Sequence, residues 1–91
     1  IMSISQSEVD KLNRLYEMRS SLQTIVTNIV QDVDRALDLR DEIESVQDDF
    51  HREILEKLDL SIATLRSAES HLESDLSLVR REIAKIEDRL H

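Results

Sequence analysis

Ser45-Val46-Gln47-Asp48-Asp49-Phe50-His51-Arg52 decides the architecture of this chain, because it separates two heptad patterns that differ in phase. Before it, apolar residues recur at positions d (Leu15, Leu22, Ile29, Ala36, Ile43, Phe50) and at most positions a (Leu12, Arg19, Val26, Val33, Arg40, Gln47). After it, positions a are Leu55, Ile62, Glu69, Leu76, Ile83 and Leu90, and positions d are Leu58, Leu65, Leu72, Val79 and Ile86. Both runs carry the 3.5-residue period of helices that pair along a seam. At the junction Phe50, Ile54, Leu58 and Ile62 are spaced four apart. Such an offset either unwinds a supercoil locally or marks a chain reversal.

Asp48 or Asp49 has the chemistry to cap a second helix. Against a reversal, the stretch holds no Gly or Asn to close the first helix with a left-handed residue, and apolar residues continue on nearly the same face. The expectation is therefore an all-α, oligomeric coiled coil. It consists of one long helix over about residues 5–90, roughly 130 Å long at ~1.5 Å per residue. The alternative is a helical hairpin that turns near 47–52 and forms an antiparallel bundle. At the start of the chain, Ser5-Gln6-Ser7-Glu8 forms a capping-box pattern, with Ser5 accepting the Glu8 amide and Glu8 reaching back. Thr24-Ile25-Val26-Thr27-Asn28-Ile29-Val30 has strand-like propensity, but the period around it is helical and no turn residue flanks it.

Composition agrees. The chain of 91 residues has no Gly, Pro or Cys, and Tyr16 and Phe50 are its two aromatic residues. Tight turns and a ring-filled globular core are poorly provided for, whereas solvated helix surface is abundant. The net charge of −8 is spread evenly, with five bases and nine acids in residues 1–47 and seven and eleven in 48–91. The one adjacent basic pair, Arg80-Arg81, is followed by Glu82, so no positive stripe exists for a phosphate backbone and nucleic acid is not an expected partner. No apolar run approaches the ~20 residues of a membrane span, so no insertion of this segment into a membrane is expected. The Ile1-Met2 opening carries no charged-then-apolar leader. The chain reads as a segment of a longer protein, and His91 as the possible first residue of a tag. Absence of cysteine fits a reducing compartment, and an intracellular, cytoplasmic location is the expectation.

The two halves differ at the flanking positions. In the first, e and g are mostly apolar (Tyr16, Val30, Leu37; Met18, Ile25, Leu39, Val46), a face too wide for one partner helix and suited to a bundle. In the second they are mostly polar (Asp59, Arg66, Glu73, Arg80, Glu87; Ser61, Asp75, Glu82, Arg89), the pattern of a narrow two-stranded seam. The chain is thus read as a single coiled-coil segment over 1–91, with a partner-binding face over 9–50 and an oligomerisation seam over 55–90. Residues expected at the oligomer interface are Leu55, Leu58, Ile62, Leu65, Leu72, Leu76, Val79, Ile83, Ile86 and Leu90. Those expected against partner helices are Leu15, Met18, Leu22, Ile25, Val26, Ile29, Val30, Val33, Leu37, Leu39 and Ile43. Arg19, Arg40, Gln47 and Glu69 interrupt the apolar positions and are expected to set register and partner choice. The simpler reading is that their stems lie along the seam with their heads in water. Arg40 also has Glu44 one turn on.

Chemistry beyond helix pairing has little support. His51, His71 and His91 lie twenty residues apart and do not converge within one helix; Asp48 is the one ligating residue three or four positions from His51. Neither a metal nor a cofactor is expected. The carboxylates have no enclosed cavity that would shift them into acid–base roles, so an enzyme is not expected. Ser20, Ser21 and Ser67 follow arginine-containing stretches and would bring phosphate charge to the helix if modified, with helix-surface filler the plainer reading. The functional expectation is a structural interaction module that oligomerises, most simply as a dimer, and docks onto helices of other subunits in a scaffold, tether or cytoskeletal assembly. Two alternatives are a membrane-fusion helix of the SNARE type, with Arg40 or Gln47 as a central polar layer, and a hairpin adaptor or chaperone holding a client helix. No motif is long or specific enough to assign a family.

Overall fold

The computed structural model describes residues 5–90; Ile1, Met2 and His91 lie outside the described residues. Two α-helices account for nearly all of that stretch, α1 over Gln6–Glu44 and α2 over Asp49–Asp88. They pack antiparallel as a hairpin of 72 × 17 × 14 Å. The all-α reading holds. Of the two architectures, the chain adopts the hairpin, and the continuous rod of roughly 130 Å is corrected by the break between Glu44 and Asp49.

The correction has a local cause. Helix α1 ends without any left-handed residue: among the described residues no backbone φ is positive, and Ser45 keeps a right-handed conformation at φ −72°, ψ −16°. Its hydroxyl donates to the Glu42 carbonyl at 2.7 Å, and the Val46 amide donates to the Ile43 carbonyl at 3.0 Å. Carbonyls that a glycine cap would have satisfied are partnered this way. The reversal is then completed by the start of α2, where Asp48 turns extended (φ −138°, ψ 170°) and accepts the His51 amide at 2.8 Å. A strong N-cap substitutes for a C-cap. The phase offset follows, since each half is a separate helix with its own seam.

At the open end, Ser5 caps α1 by accepting the Glu8 amide at 3.2 Å. The second arm expected of a capping box is replaced. Glu8 instead reaches across to Arg89, with Oε2 3.6 Å from Nη1.

The core is a seam between the two helices. Leu12 and Leu15 of α1 pack with Val79, Ile83 and Ile86 of α2, and Tyr16 and Leu22 close over them. Val33, Ile62 and Leu76 are buried further toward the turn. These are heptad a and d positions of both halves, so the periodicity that sets each helix also sets which face it buries. Both stripes sit on one chain joined by a short turn, so pairing within the chain has a far higher effective concentration than pairing between chains.

The Asp48 cap supplies a test by pH. Its carboxyl is held below the ordinary 3.8, first by the bond from the His51 amide and next by the His51 ring, whose Nδ1 lies 2.7 Å away. Glu82 is likewise held below 4.5, chiefly by the hydrogen bond and charge of Lys11. A carboxyl depressed by folding contributes stability that is present above its unfolded value and is lost as pH falls through its folded value. Thermal melts followed by circular dichroism should therefore show a falling melting temperature once pH drops below 4.5 and then 3.8. Asp48→Asn keeps the cap without the titration and should lose less. Identical acid losses in the two proteins would rule Asp48 out as a contributor.

Candidate helix-docking face

The antiparallel register is read from ion pairs that join the helices. Lys11 meets Glu82 at 3.0 Å and Glu8 meets Arg89 near the open end, while Arg40 Nε meets Asp59 at 2.6 Å nearer the turn. Arg40 also keeps its expected neighbour Glu44, at 3.4 Å. Its guanidinium is pushed above its ordinary value, first by the hydrogen bond to Asp59 and next by that carboxylate's charge.

Two edges of the hairpin differ in character. One edge joins the e positions of both helices. There Gln23, Val26 and Thr27 share an open groove of about 630 Å³ with Glu73, Leu76, Ser77 and Arg80. Nearer the turn, Leu37 and Arg40 line a second groove with Asp59, Ile62 and Arg66. This edge is lined by charge and hydroxyls, with Val30 as its exposed apolar residue. The opposite edge begins at the Lys11–Glu82 pair, both at g positions, and its α1 side carries Met18, Ile25, Asp32 and Leu39 at seven-residue intervals. Val46 continues the line into the turn. The four apolar members are 44–48% exposed, so α2 covers only part of each.

The residues expected at the oligomer interface divide as follows. Ile62, Leu76, Val79, Ile83 and Ile86 are buried, Leu55, Leu58, Leu65 and Leu72 are half-buried, and Leu90 is exposed. Of these, Val79, Ile83 and Ile86 pack on Leu12 and Leu15 of the same chain. Of the residues expected against partner helices, Leu15 and Val33 are buried, Leu22, Val26, Ile29, Leu37 and Ile43 are half-buried, and Met18, Ile25, Val30 and Leu39 are exposed. Arg19 is half-buried with its guanidinium 5.1 Å from the Tyr16 ring, a cation–π contact along the seam. Glu69 is half-buried, and Gln47 lies exposed in the turn. Arg40 and Gln47 thus do not share one continuous helix.

Several contributors escaped the sequence reading. Asp59 as the partner of Arg40 and Glu82 as the partner of Lys11 follow only once the chain is folded back on itself. Phe50, read as a d position of the first run, is instead 66% exposed at the start of α2, and Leu60 and Leu78, outside the heptad faces, are 71% and 59% exposed. Among the described residues no group of three or more potential ligands is placed to hold a metal ion, and Asp48 and His51 engage each other in the α2 cap. Among the described residues no helix is long and apolar enough to cross a membrane. No family model, curated protein or solved structure matches the chain.

Proposed function

We propose that this hairpin is a structural interaction module that works by docking further helices, not by catalysis, and so joins subunits of a larger scaffold, tether or cytoskeletal assembly. The observation that carries the reading is the uncovered line of Met18, Ile25 and Leu39 along one edge of α1, continued by Val46 in the turn. Apolar residues at seven-residue intervals fit another helix better than a globular surface or a small ligand. Covering each half-exposed side chain contributes roughly 1 kcal/mol. Four of them give only about 4 kcal/mol, near the millimolar range before association costs are counted. Docking strong enough to persist must therefore also cover the adjacent half-buried d residues Leu22 and Ile29. That requires a partner helix of several turns lying along the edge.

A photo-crosslinking amino acid placed at Ile25 or Leu39, in the cell that makes the protein, tests this. Crosslinks to protein should be strong from those two positions and weak from Leu60 on the outer side of α2. Equal yields from Leu60, or none from the stripe, would remove the docking reading.

A further inference from the structure

We propose that the helix covering this edge is α1 of a second copy of the chain, laid antiparallel about Asp32 so that two hairpins form a four-helix bundle. The inference rests on the docking reading above and names the occupant.

The pattern of the edge is symmetric. Met18, Ile25, Asp32, Leu39 and Val46 are evenly spaced, and reversing their order leaves apolar residues opposite apolar residues and Asp32 opposite itself. A two-fold axis through Asp32 sets Ile25 against Leu39 of the other copy's α1 and Met18 against Val46 in its turn. An isologous interface demands such self-complementarity, because every residue i that meets j must also have j meeting i. A stripe selected for an unrelated helix has no need of it.

Charge at the centre agrees. Two Asp32 carboxylates facing each other would repel, but Arg35, one turn along, already lies with Nη1 3.7 Å from Asp32 Oδ1 and is largely exposed. The two-fold brings both arginines to the axis from opposite sides. The result is a neutral group of two carboxylates and two guanidiniums in place of a bare acidic pair. The rest of the chain, at −8 overall, resists association through its field, so added salt should strengthen the dimer.

Cysteine pairing reads the geometry directly, since the chain has no cysteine of its own. Sedimentation equilibrium of the full chain should give twice 10.6 kDa, and a mixture of Ile25→Cys and Leu39→Cys chains should oxidise to a mixed disulfide dimer. Ile25→Cys chains alone should not link, because the two positions lie about 21 Å apart across the axis at ~1.5 Å per residue. Asp32→Arg leaves four guanidiniums at the axis and should weaken the dimer at least tenfold. The double variant Asp32→Arg/Arg35→Asp should restore it. These residues are exposed, so circular dichroism should report an intact hairpin in every variant. A monomeric wild-type chain overturns the proposal, as does self-linking of Ile25→Cys chains, which would mean a parallel arrangement. A monomer that still crosslinks through Ile25 to a different protein leaves docking in place and overturns the second copy as occupant.

Discussion

Replacing Ile83 with alanine lowers the stability of the hairpin by about 2–4 kcal/mol. For a domain of this size that corresponds to a fall of roughly 10–25 °C in melting temperature. Ile83 and its neighbour Ile86 are the most enclosed side chains among the described residues, at 2% and 1% exposure, and they sit against Leu12 and Leu15 near the open end. The cavity that alanine leaves has little means of collapsing, because the opposing leucines are fixed on a regular helix. Stability near 0.05–0.15 kcal/mol per residue sets a total of only about 5–14 kcal/mol. Ile83→Ala together with Ile86→Ala should therefore leave the chain largely unfolded at room temperature. Leu60→Ala is the control: it also removes an aliphatic side chain, but one that is 71% exposed, and it should change stability by no more than about 0.5 kcal/mol. Urea titration of the three proteins decides the matter. A loss below about 1 kcal/mol for Ile83→Ala would mean that α1 and α2 do not pair as described.

Much of that core was legible before folding, because the heptad positions of each half are the positions each helix buries. Leu12, Leu15, Val33, Ile62, Leu76, Val79, Ile83 and Ile86 all follow from a 3.5-residue period alone. What period alone does not supply is the identity of the opposing helix. A seam read from one strand of sequence looks the same whether it is met by a second copy, by another protein or by the other half of the chain. The missing information lay in the turn, and there a usual signal was absent. Left-handed glycine caps are a common way to end a helix, and none is present. The ending instead uses the Ser45 hydroxyl and the Asp48 carboxylate, residue types that are equally ordinary on a solvated helix surface. Once Arg40 is seen to reach Asp59, the polar residue in the seam becomes a clamp between helices within one chain. The uncovered edge was legible in part: apolar g positions in the first half signalled a face wider than one helix covers, and Met18, Ile25 and Leu39 are what remains exposed.

Replacing Ser45, Gln47 and Asp48 together with alanine should convert the hairpin into a rod about twice as long. Nothing in the backbone of this turn demands reversal: it holds no glycine or proline and, among the described residues, no positive φ. Reversal depends on a hydroxyl that closes α1 and a carboxylate that opens α2. Alanine has the highest helix propensity and offers neither group, so the local preference of residues 44–49 passes to continuous helix. The apolar faces still require cover. Two straightened chains lying antiparallel supply it, because α1 of each then meets α2 of the other through the same buried residues, as in domain swapping. The four-residue spacing of Phe50, Ile54, Leu58 and Ile62 is absorbed by local unwinding of the supercoil. Small-angle scattering with light scattering on one sample should then show the longest dimension rising from that of the wild-type particle, built of hairpins 72 Å long, to roughly 130 Å, in a particle that holds at least two chains. If the dimension stays that of the wild type, the turn is held by the apolar residues that meet there, Ile43 and Leu55, and not by its caps. The same packing would then account for how a chain without turn residues folds back at all.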